Sequence, residues 1–318
     1  MTPILDIVIV TYNRLEKLKK ALHCYEEQSQ GFRNLILVNN CSTDGTKEWI
    51  DKWASESSDK FLKVVIHAPK NMGGAGGFYL GQKKSLELGA DWVFVADDDA
   101  YATPNMVEEF YKFTNEHDCR GYSAICASVH NLDDRIDEYH RDRYEIIDGR
   151  NWLFKELRRF HVTEDDYKKE YFSIDFLSYV GSFINASAMK KYGTANHDYF
   201  IFFDDSEHSI RLKKFGDIIV VPRIKINHEG GATGKDSNVL SWRSYYSMRN
   251  EFHMRLKHFP RTTIYDIYIA LRKFGGRIIH RRNTNEYDML EETAIFDAIR
   301  GHLGKHKKYK PGWEVKLD

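Results

Sequence analysis

The sequence centres on Val93-Phe94-Val95-Ala96-Asp97-Asp98-Asp99, an apolar run that ends abruptly in three carboxylates. The run predicts a buried strand that carries its acids to the edge of a sheet. Adjacent carboxylates raise one another's pKa unless a cation compensates them. In extended backbone, side chains at i and i+2 point the same way, so we expect Asp97 and Asp99 to face one divalent ion while Asp98 faces elsewhere. A solvated acidic turn is the alternative that the tripeptide alone leaves open.

Three units of strand followed by helix precede this run. Residues 4–10, 35–38 and 62–67 are apolar and predict strands, and a segment with helical character follows each of them. Alternation of strand and helix is typical of a parallel sheet, which binds ligands at the carboxyl ends of its strands. The sequence therefore predicts an α/β fold in which the polar segments after these strands share one edge.

Each of the three strands is followed by a polar segment suited to a ligand. Thr11-Tyr12-Asn13-Arg14 follows the first strand, and residues 39–46 follow the second with the composition of a turn and helix cap. Residues 71–78 carry four glycines but match neither a dinucleotide-binding motif nor a P-loop. Glycine lets backbone approach a ligand closely, and amides at a helix start favour anions. Glycines that merely cap a strand remain the alternative.

A second acidic cluster, Asp204-Asp205-Ser206-Glu207, follows an aromatic run at residues 199–203. Acids suit the N-terminus of a helix because they complement its dipole. The alternative is that the apolar wall raises the pKa of one carboxylate and makes it a usable general base. His228 follows a later strand. A lone histidine is more often an ordinary polar residue than a metal ligand, but its position after two acidic clusters improves the odds of a ligand role.

Composition limits the class of protein. The 318 residues are 42% hydrophobic, and 47 basic residues balance 47 acidic ones, so charge gives no reason to expect a nucleic-acid partner. A strand starts almost at the N-terminus, which leaves no room for a signal peptide, and no apolar stretch approaches the roughly 20 residues that span a bilayer. The four cysteines lack a CxxC pair. We therefore expect a cytoplasmic protein that could sit at the inner face of the cell membrane.

Taken together, these features resemble the family 2 glycosyltransferases with a GT-A fold. Residues 7–14 and 38–46 match that family's first two signatures, and Asp97-Asp98-Asp99 matches its DxD motif. A narrower likeness is to the bacterial galactofuranosyltransferases. This chain has the motifs of that group in the same order, namely the glycine segment, the DxD motif, Phe203-Asp204-Asp205-x-Glu207, His228 and Tyr245-Tyr246-x-x-Arg249-Asn250. Family 2 rhamnosyltransferases share several of these signatures.

The resemblance implies an α/β GT-A fold, which is a Rossmann-like, mostly parallel sheet flanked by helices, here with a helical C-terminal extension. It implies transfer with inversion at the anomeric carbon. By carry-over onto this sequence, Asp97, Asp99 and His228 would hold Mn²⁺ or Mg²⁺ on the donor diphosphate, and Asp205 would be the catalytic base.

The resemblance also names the expected substrates and contacts. We expect UDP-galactofuranose as the donor, with dTDP-rhamnose as the alternative, and a glycan acceptor that could be lipid-linked. The expected donor-binding residues are Thr11, Asn13, Arg14, Asn40, Gly73, Gly74, Asp97 and Asp98. The expected acceptor-binding residues are Tyr179, Gly181, Asp204 and Glu207. A nucleotidyltransferase with a similar metal site, and an inactive nucleotide-sugar-binding protein, remain the other readings.

Two further regions lie outside these motifs. Residues 131–170 show no clear periodicity and are expected to form an irregular excursion over the sheet that serves as a lid or binding loop. Residues 1–258 are expected to form the catalytic domain and residues 259–318 a basic, amphipathic, helical region. Between residues 272 and 282 five basic residues occur with no acid, which suits either an anionic lipid surface or a contact in a homo-oligomer.

Overall fold

The structure, a computed structural model, describes residues 2–148, 155–230, 239–280 and 285–316, except for the side chains of residues 277–280. Backbone contacts divide the chain into two compact units. The first unit comprises Met1–Arg143, Phe160–His197 and Asp205–Gly231, and the second comprises Tyr144–Arg159, Asp198–Asp204 and Ala232–Asp318. This division places residues 232–258 in the second unit, and a domain boundary at residue 258 stays a prediction.

The described elements alternate between strand and helix in the first half of the chain. The strands are β1 (Leu5–Thr11), β2 (Asn34–Asn39), β3 (Leu62–His67), β4 (Trp92–Asp97), β5 (Ala100–Ala102), β6 (Tyr122–His130), β7 (Arg141–Asp148), β8 (Lys155–His161), β9 (Phe172–Ile174), β10 (Phe176–Leu177), β11 (Ser182–Asn185), β12 (Asp217–His228), β13 (Val239–Ser241) and β14 (Glu314–Lys316). The helices are α1 (Leu15–Glu26), α2 (Thr46–Ser55), α3 (Gly73–Glu87), α4 (Met106–Glu116), α5 (Ala186–Tyr192), α6 (Asp204–Leu212), α7 (Trp242–His258), α8 (Ile264–His280) and α9 (Glu286–Arg300).

One large sheet organises the first unit. Its strands lie in the order β3-β2-β1-β4-β11-β6-β12-β5, and β9 also pairs with β12. The four strands β3, β2, β1 and β4 are mutually parallel, as are β6 and β12, whereas β11 runs antiparallel to both of its neighbours. The expected α/β fold with a mostly parallel sheet is confirmed. Because β1, β2 and β4 are parallel, the segments that follow them lie at one edge of the sheet.

The sheet is buried on both faces, and β1 shows why. Along this strand Ile7 and Ile9 pack into one apolar cluster, while Val8 and Val10 pack into the other. All four side chains are buried, because successive side chains of a strand point to opposite faces of the sheet and helices cover both faces here. Each fully buried aliphatic side chain contributes about 1.5–3 kcal/mol to the free energy of unfolding.

The glycine segment lies inside α3 and not in a loop. A Cβ on Gly77 would overlap Val10 Cγ1, and a Cβ on Gly81 would overlap Val8 Cγ1. These two glycines therefore allow α3 to pack unusually close to β1. Gly73 has a φ of 72° at the helix start, where glycine adopts this conformation without strain, whereas a Cβ on Gly74 would meet nothing within 4 Å.

Residues 131–170 were expected to be irregular, and that expectation is wrong for part of the segment. They contain β7 and β8, and β10 pairs antiparallel with the start of β7 through Phe176 opposite Asp142. Both strands are rich in charged residues and half exposed, so polar side chains on both faces hide their alternation from sequence inspection. Residues 149–154 lie outside the described part of the chain.

The second unit contains the helical C-terminal region expected from the sequence. Helices α7 and α9 enclose an aromatic cluster that includes Tyr245, Tyr246 and Tyr309. The Asn250 side chain donates to the backbone oxygens of Tyr199, Ile201 and Phe202, at 2.8–2.9 Å. None of the described helices combines the length and the hydrophobicity that crossing a bilayer requires.

Candidate active site

The loop after β1 is tied to the loop after β2 through Asn13. Asn13 has a φ of 53°, its backbone N–H donates to Ser42 Oγ at 3.0 Å, and its side-chain oxygen accepts from the N–H of Thr43 at 2.7 Å. Asparagine tolerates this left-handed conformation better than most residues. The described contacts of Asn13 are thus structural, and its predicted contact with the donor stays a prediction.

Asn40 connects the end of β2 to the glycine segment. Its buried amide nitrogen donates to the backbone oxygen of Gly73 at 2.9 Å, and its side-chain oxygen accepts from the N–H of Met72 at 2.9 Å. Because these bonds use both ends of the amide, Asn40 shapes the start of α3. A direct contact between Asn40 and the donor base stays a prediction.

The strand that carries the three aspartates stops at the first of them. β4 ends at Asp97, and Asp98 and Asp99 are turn residues before β5. Arg14 Nη1 lies 3.2 Å from Asp98 Oδ1 and 2.9 Å from Asp99 Oδ2. Asp98 and Asp99 therefore share one cationic partner, because the extended backbone that would turn Asp98 away stops at Asp97, and the expectation that Asp97 and Asp99 face one ion stays a prediction.

Further donors reach the same turn. Thr11 Oγ1 donates to Asp98 Oδ2 at 2.7 Å, and Lys17 Nζ lies 3.3 Å from Asp99 Oδ2. Thr11 and Arg14 thus lie at the DxD motif as expected from the sequence. Lys17 was missed, although its position one turn after Arg14 on α1 was a signal that the two cations share a helix face.

The three neighbouring carboxylates are buried to different degrees and have different charged neighbours, so their pKa values differ. Burial, followed by repulsion from Asp99 and Asp98, raises the pKa of Asp97 to about 7. Burial also raises the pKa of Asp98 to about 6, against the opposing charge of Arg14. Burial acts on Asp99 in the same direction but is outweighed by His228 and Arg14, so its pKa lies below the ordinary value. Asp97 is thus the acid whose charged form most needs a further cation.

His228 reaches the DxD turn through strand pairing. β12 pairs antiparallel with β5, which places His228 opposite Ala100, and His228 Nε2 lies 3.5 Å from Asp99 Oδ1. Burial would lower the pKa of this imidazole, but the hydrogen bond to Asp99 and the charge of Asp97 raise it. The predicted neighbourhood of Asp99 and His228 is present in the fold.

The donor set predicted for a divalent cation has suitable chemistry, and its assignment to Asp97, Asp99 and His228 stays a prediction. Two carboxylates and one imidazole, from Asp97, Asp99 and His228, are a donor set that suits Mn²⁺, and the carboxylates also suit Mg²⁺. The raised pKa of Asp97 is the electrostatic sign of such a site, because a bound cation would stabilise its ionised form. Arg14 and Lys17 already contact Asp99 Oδ2, so a cation there must share this carboxylate with them.

The second acidic cluster begins α6, as the helix-dipole reading of the sequence requires. Asp204 is buried and Asp205 is partly exposed. The backbone oxygen of Asp205 accepts from Ser209 Oγ at 2.7 Å, and the same hydroxyl accepts from the N–H of Leu177 at 3.1 Å. Ser209 thereby fixes the first turn of α6 against β10.

Two of the predicted acceptor residues have buried side chains that are already paired with neighbouring side chains. Glu207 is fully buried, and Arg211 Nε lies 2.8 Å from its Oε2. Tyr179 is 4% exposed, and its hydroxyl pairs with His208 Nδ1 at 2.8 Å. The described contacts of both side chains are structural, and their predicted contacts with the acceptor stay predictions.

Gly181, also expected to contact the acceptor, has a steric role. Its φ is 73°, and a Cβ there would lie 2.7 Å from Ile226 Cγ2. Its N–H donates to the backbone oxygen of Val95 at 3.1 Å, which joins this turn to β4. Glycine is therefore required for both the conformation and the space.

A profile of glycosyl transferase family 2 matches residues 6–193, more than half of the chain. The galactofuranosyltransferase GlfT1 of Mycobacterium tuberculosis is 35% identical over 104 residues, which cover 32% of this chain and 32% of GlfT1. The matched segment therefore spans about a third of the length of that relative.

Solved structures support the fold independently of the sequence match. The structure of S. aureus TarS 1-349 in complex with UDP-GlcNAc has a TM-score of 0.57 at 15% identity, covering 93% of this chain and 81% of TarS. The mannosyltransferase PcManGT from Pyrobaculum calidifontis, solved in complex with GDP-Man and Mn²⁺, has a TM-score of 0.51 at 13% identity, covering 94% of this chain and 74% of that protein. At these identities the likeness concerns the fold alone.

Proposed function

The chain belongs to glycosyl transferase family 2, and on that premise we propose that it transfers a sugar, with inversion, from a nucleotide-sugar donor to a hydroxyl of a glycan. The observation that carries this proposal is the meeting of the DxD turn with His228 at the edge of the sheet. Parallel sheets place ligands at this edge, and an acidic turn with an adjacent imidazole suits a metal-bound diphosphate.

The proposed donor is UDP-galactofuranose. Its support is the partial identity with GlfT1, a galactofuranosyltransferase, together with the motif order of that group. TarS, which shares the fold, was solved with a UDP-sugar, which makes a uridine nucleotide a reasonable first probe. dTDP-rhamnose is the donor to compare, because family 2 rhamnosyltransferases share several of the same motifs.

Asp97, Asp99 and His228 would hold the divalent cation. When bound, that cation would neutralise the departing nucleoside diphosphate as a Lewis acid. Arg14 and Lys17, which already contact Asp99, would add positive charge near the same phosphates. The solved complex of PcManGT with Mn²⁺ makes Mn²⁺ the first metal to test.

Asp205 is the proposed catalytic base. It is the more exposed of the two acids that begin α6, and in the sequence it follows the aromatic run at residues 199–203. A base that removes the proton of the acceptor hydroxyl contributes about 10²–10⁴-fold to the rate. Asp204 remains a candidate contact for the acceptor.

The proposed acceptor is a cell-surface glycan that could be linked to lipid, and the proposed location is the cytoplasmic face of the membrane. Helix α8 supports a membrane contact, since five of its large apolar side chains are 40–55% exposed. These side chains are Ile264, Tyr265, Tyr268, Leu271 and Phe274. The five basic residues between 272 and 282, with no acid, suit an anionic lipid surface better than a second copy of a cationic helix.

Release of nucleoside diphosphate tests the proposal. The purified chain is mixed with Mn²⁺, a galactofuranose-containing oligosaccharide and one donor at a time, namely UDP-galactofuranose, UDP-galactopyranose or dTDP-rhamnose. The proposal predicts acceptor-dependent release of UDP from the furanose donor that stops with EDTA and returns with Mn²⁺. Turnover of dTDP-rhamnose alone would identify dTDP-rhamnose as the donor. Release of pyrophosphate, or no turnover with any donor, would overturn sugar transfer.

A further inference from the structure

His228 is approached by a second carboxylate on the side away from Asp99. Its Nδ1 is buried, lacks a hydrogen-bond partner among the described residues, and lies 3.8 Å from Asp137 Oδ2. His140 completes the group, and the candidate ligand atoms of Asp137, His140 and His228 all lie within 4.8 Å of one another. The rings of His140 and His228 meet edge to face, with centroids 4.8 Å apart. This cluster could either bind a metal itself or orient His228.

The hydrogen bonds of His140 decide between these two roles. Ser178 Oγ accepts from Arg141 Nη1 at 3.1 Å and from the N–H of Val180 at 3.3 Å, so its own proton is available for His140 Nδ1 at 2.9 Å. A neutral His140 that accepts at Nδ1 carries its proton on Nε2, which donates to Asp137 Oδ2 at 3.1 Å. Neither ring nitrogen of His140 is then available to a metal.

Asp137 is held firmly enough to orient a neighbour. Besides the bond from His140, its other carboxylate oxygen accepts from the N–H of Tyr139 at 3.3 Å, which caps the short 3-10 helix Glu138–His140. Behind it, the guanidinium of the fully buried Arg141 also donates to the backbone oxygens of Ala127 and Val180, at 2.8 and 2.9 Å. The carboxylate facing His228 therefore belongs to a rigid network.

We infer that Asp137 is a positioning residue, whose carboxylate accepts the Nδ1–H of His228 when Nε2 of that ring binds the divalent cation, and that His140 holds Asp137 in place. Histidines that bind metals usually donate their other N–H to such a carboxylate, which fixes the tautomer and makes the ring a better ligand. Closing the 3.8 Å gap to a hydrogen bond requires a shift of about 1 Å. The inference rests on the proposed metal-dependent function.

Gly230 leaves the space in which the His228 ring can shift. A Cβ at this position would lie 3.1 Å from His228 Nδ1 and 3.2 Å from Cε1. A side chain there would press against the edge of the ring that faces Asp137. The sequence His228-Glu229-Gly230 thus combines a proposed ligand with a residue that leaves space beside its second nitrogen.

Titration of Mn²⁺ into the full chain, followed by electron paramagnetic resonance of free Mn²⁺ in the presence of UDP, tests the inference. Asp137→Asn keeps the shape of the side chain but weakens the acceptor, and we expect Mn²⁺ to bind about 10–100-fold less tightly. The matched control is Asp133→Asn in the same loop, an exposed acid paired with Arg135 that should leave the affinity unchanged. Thermal unfolding without metal should be the same in all three proteins.

His140 variants separate positioning from metal ligation. His140→Gln can still donate to Asp137 and should keep most of the affinity for Mn²⁺, whereas His140→Leu cannot and should lower it in the manner of Asp137→Asn. Wild-type affinity in Asp137→Asn would overturn the inference, as would a second bound Mn²⁺ that disappears in His140→Leu. A wild-type chain that binds no Mn²⁺ would overturn both this inference and the metal dependence, while binding without sugar transfer would overturn only the proposed reaction.

Discussion

His228 Nε2 lies 3.5 Å from Asp99 Oδ1, although the two residues are far apart in the sequence. Their meeting is a product of strand pairing, because β12 and β5 run side by side with His228 opposite Ala100. The backbone strengthens the junction, since the N–H of Glu229 donates to the backbone oxygen of Asp99 at 2.9 Å. The candidate metal site is thus built into the sheet and does not depend on a flexible loop for its alignment.

Replacing the proposed base should separate catalysis from donor binding. Asp205→Asn removes a group that accepts a proton, so we expect kcat to fall by about 10²–10⁴-fold. The affinity for UDP with Mn²⁺, measured by calorimetry, should stay within about twofold of wild type because Asp205 is not expected to touch the donor. Asp165→Asn, at an exposed acid elsewhere in the first unit, is the control. Wild-type turnover in Asp205→Asn would move the base to Asp204 or Glu207.

His208 should make stability depend on pH in the acid range. Burial, aided by the charge of Arg211, lowers the pKa of this imidazole to about 3, while Glu207 acts in the opposite direction. Its neighbours are the Tyr179 hydroxyl at Nδ1 and the Gly193 backbone oxygen at Nε2. Between about pH 6.5 and pH 3 the unfolded chain binds a proton that the folded chain does not, so stability falls with falling pH by up to about 1.4 kcal/mol per pH unit from this group.

Urea unfolding at pH 7 and pH 4.5 measures this contribution. His208→Gln lacks the titrating group, so its free energy of unfolding should fall less than that of wild type between the two pH values, by about 2–3 kcal/mol. His302→Gln, at a largely exposed histidine, should follow wild type. Equal pH dependence in wild type and His208→Gln would show that His208 does not titrate as described.

Substitution by alanine should change the stability of the protein in opposite directions at two glycines of α3. Gly77→Ala places a methyl group against Val10 Cγ1, and overpacking of this kind costs about 1–3 kcal/mol of stability. Gly74→Ala meets nothing within 4 Å and should stabilise by up to about 1 kcal/mol, because alanine loses less backbone entropy on folding. Thermal unfolding of the pair is the measurement. Equal effects at both sites would mean that α3 does not pack on β1 as closely as described.

The exposed face of α8 should contribute to membrane binding. Leu271→Ser should weaken binding to vesicles of phosphatidylcholine with phosphatidylglycerol about tenfold, since burying a leucine side chain is worth about 1.5–3 kcal/mol. Leu132→Ser is a matched control, because Leu132 and Leu271 are 57% and 53% exposed. Binding should also weaken with salt. A loss of dimers on gel filtration in Leu271→Ser, with vesicle binding unchanged, would instead assign the face to a homo-oligomer.

The sequence predicted the sheet well, because its strands are continuous apolar runs that end at polar motifs. It could not predict that Arg14 would bind both Asp98 and Asp99, since this depends on the residue at which β4 stops. The contact between Asp137 and His228 was equally hidden. It arises from the path of a polar segment whose strands lack an apolar alternation, and only the spacing of Asp137 and His140 hinted at a shared site.

The acidic cluster at α6 shows the limit of motif reading. The three acids Asp204, Asp205 and Glu207 look equivalent in sequence, yet Asp205 is partly exposed while Glu207 is fully buried against Arg211. Helical periodicity explains the difference, because Glu207 and Arg211 are separated by four residues and face the same side of the helix. A charged residue four positions after an acid was the available signal that Glu207 has a structural partner.

Calorimetry of donor binding with and without Mn²⁺ tests the central claim most directly. Wild type should bind UDP and UDP-galactofuranose only when Mn²⁺ is present, and bind UDP-galactopyranose and dTDP-rhamnose more weakly. His228→Ala should lose at least tenfold in the affinity that Mn²⁺ adds, because it removes one of three proposed ligands. Binding of UDP-galactofuranose that is equally tight with EDTA, or unchanged in His228→Ala, would contradict a metal site formed by Asp97, Asp99 and His228.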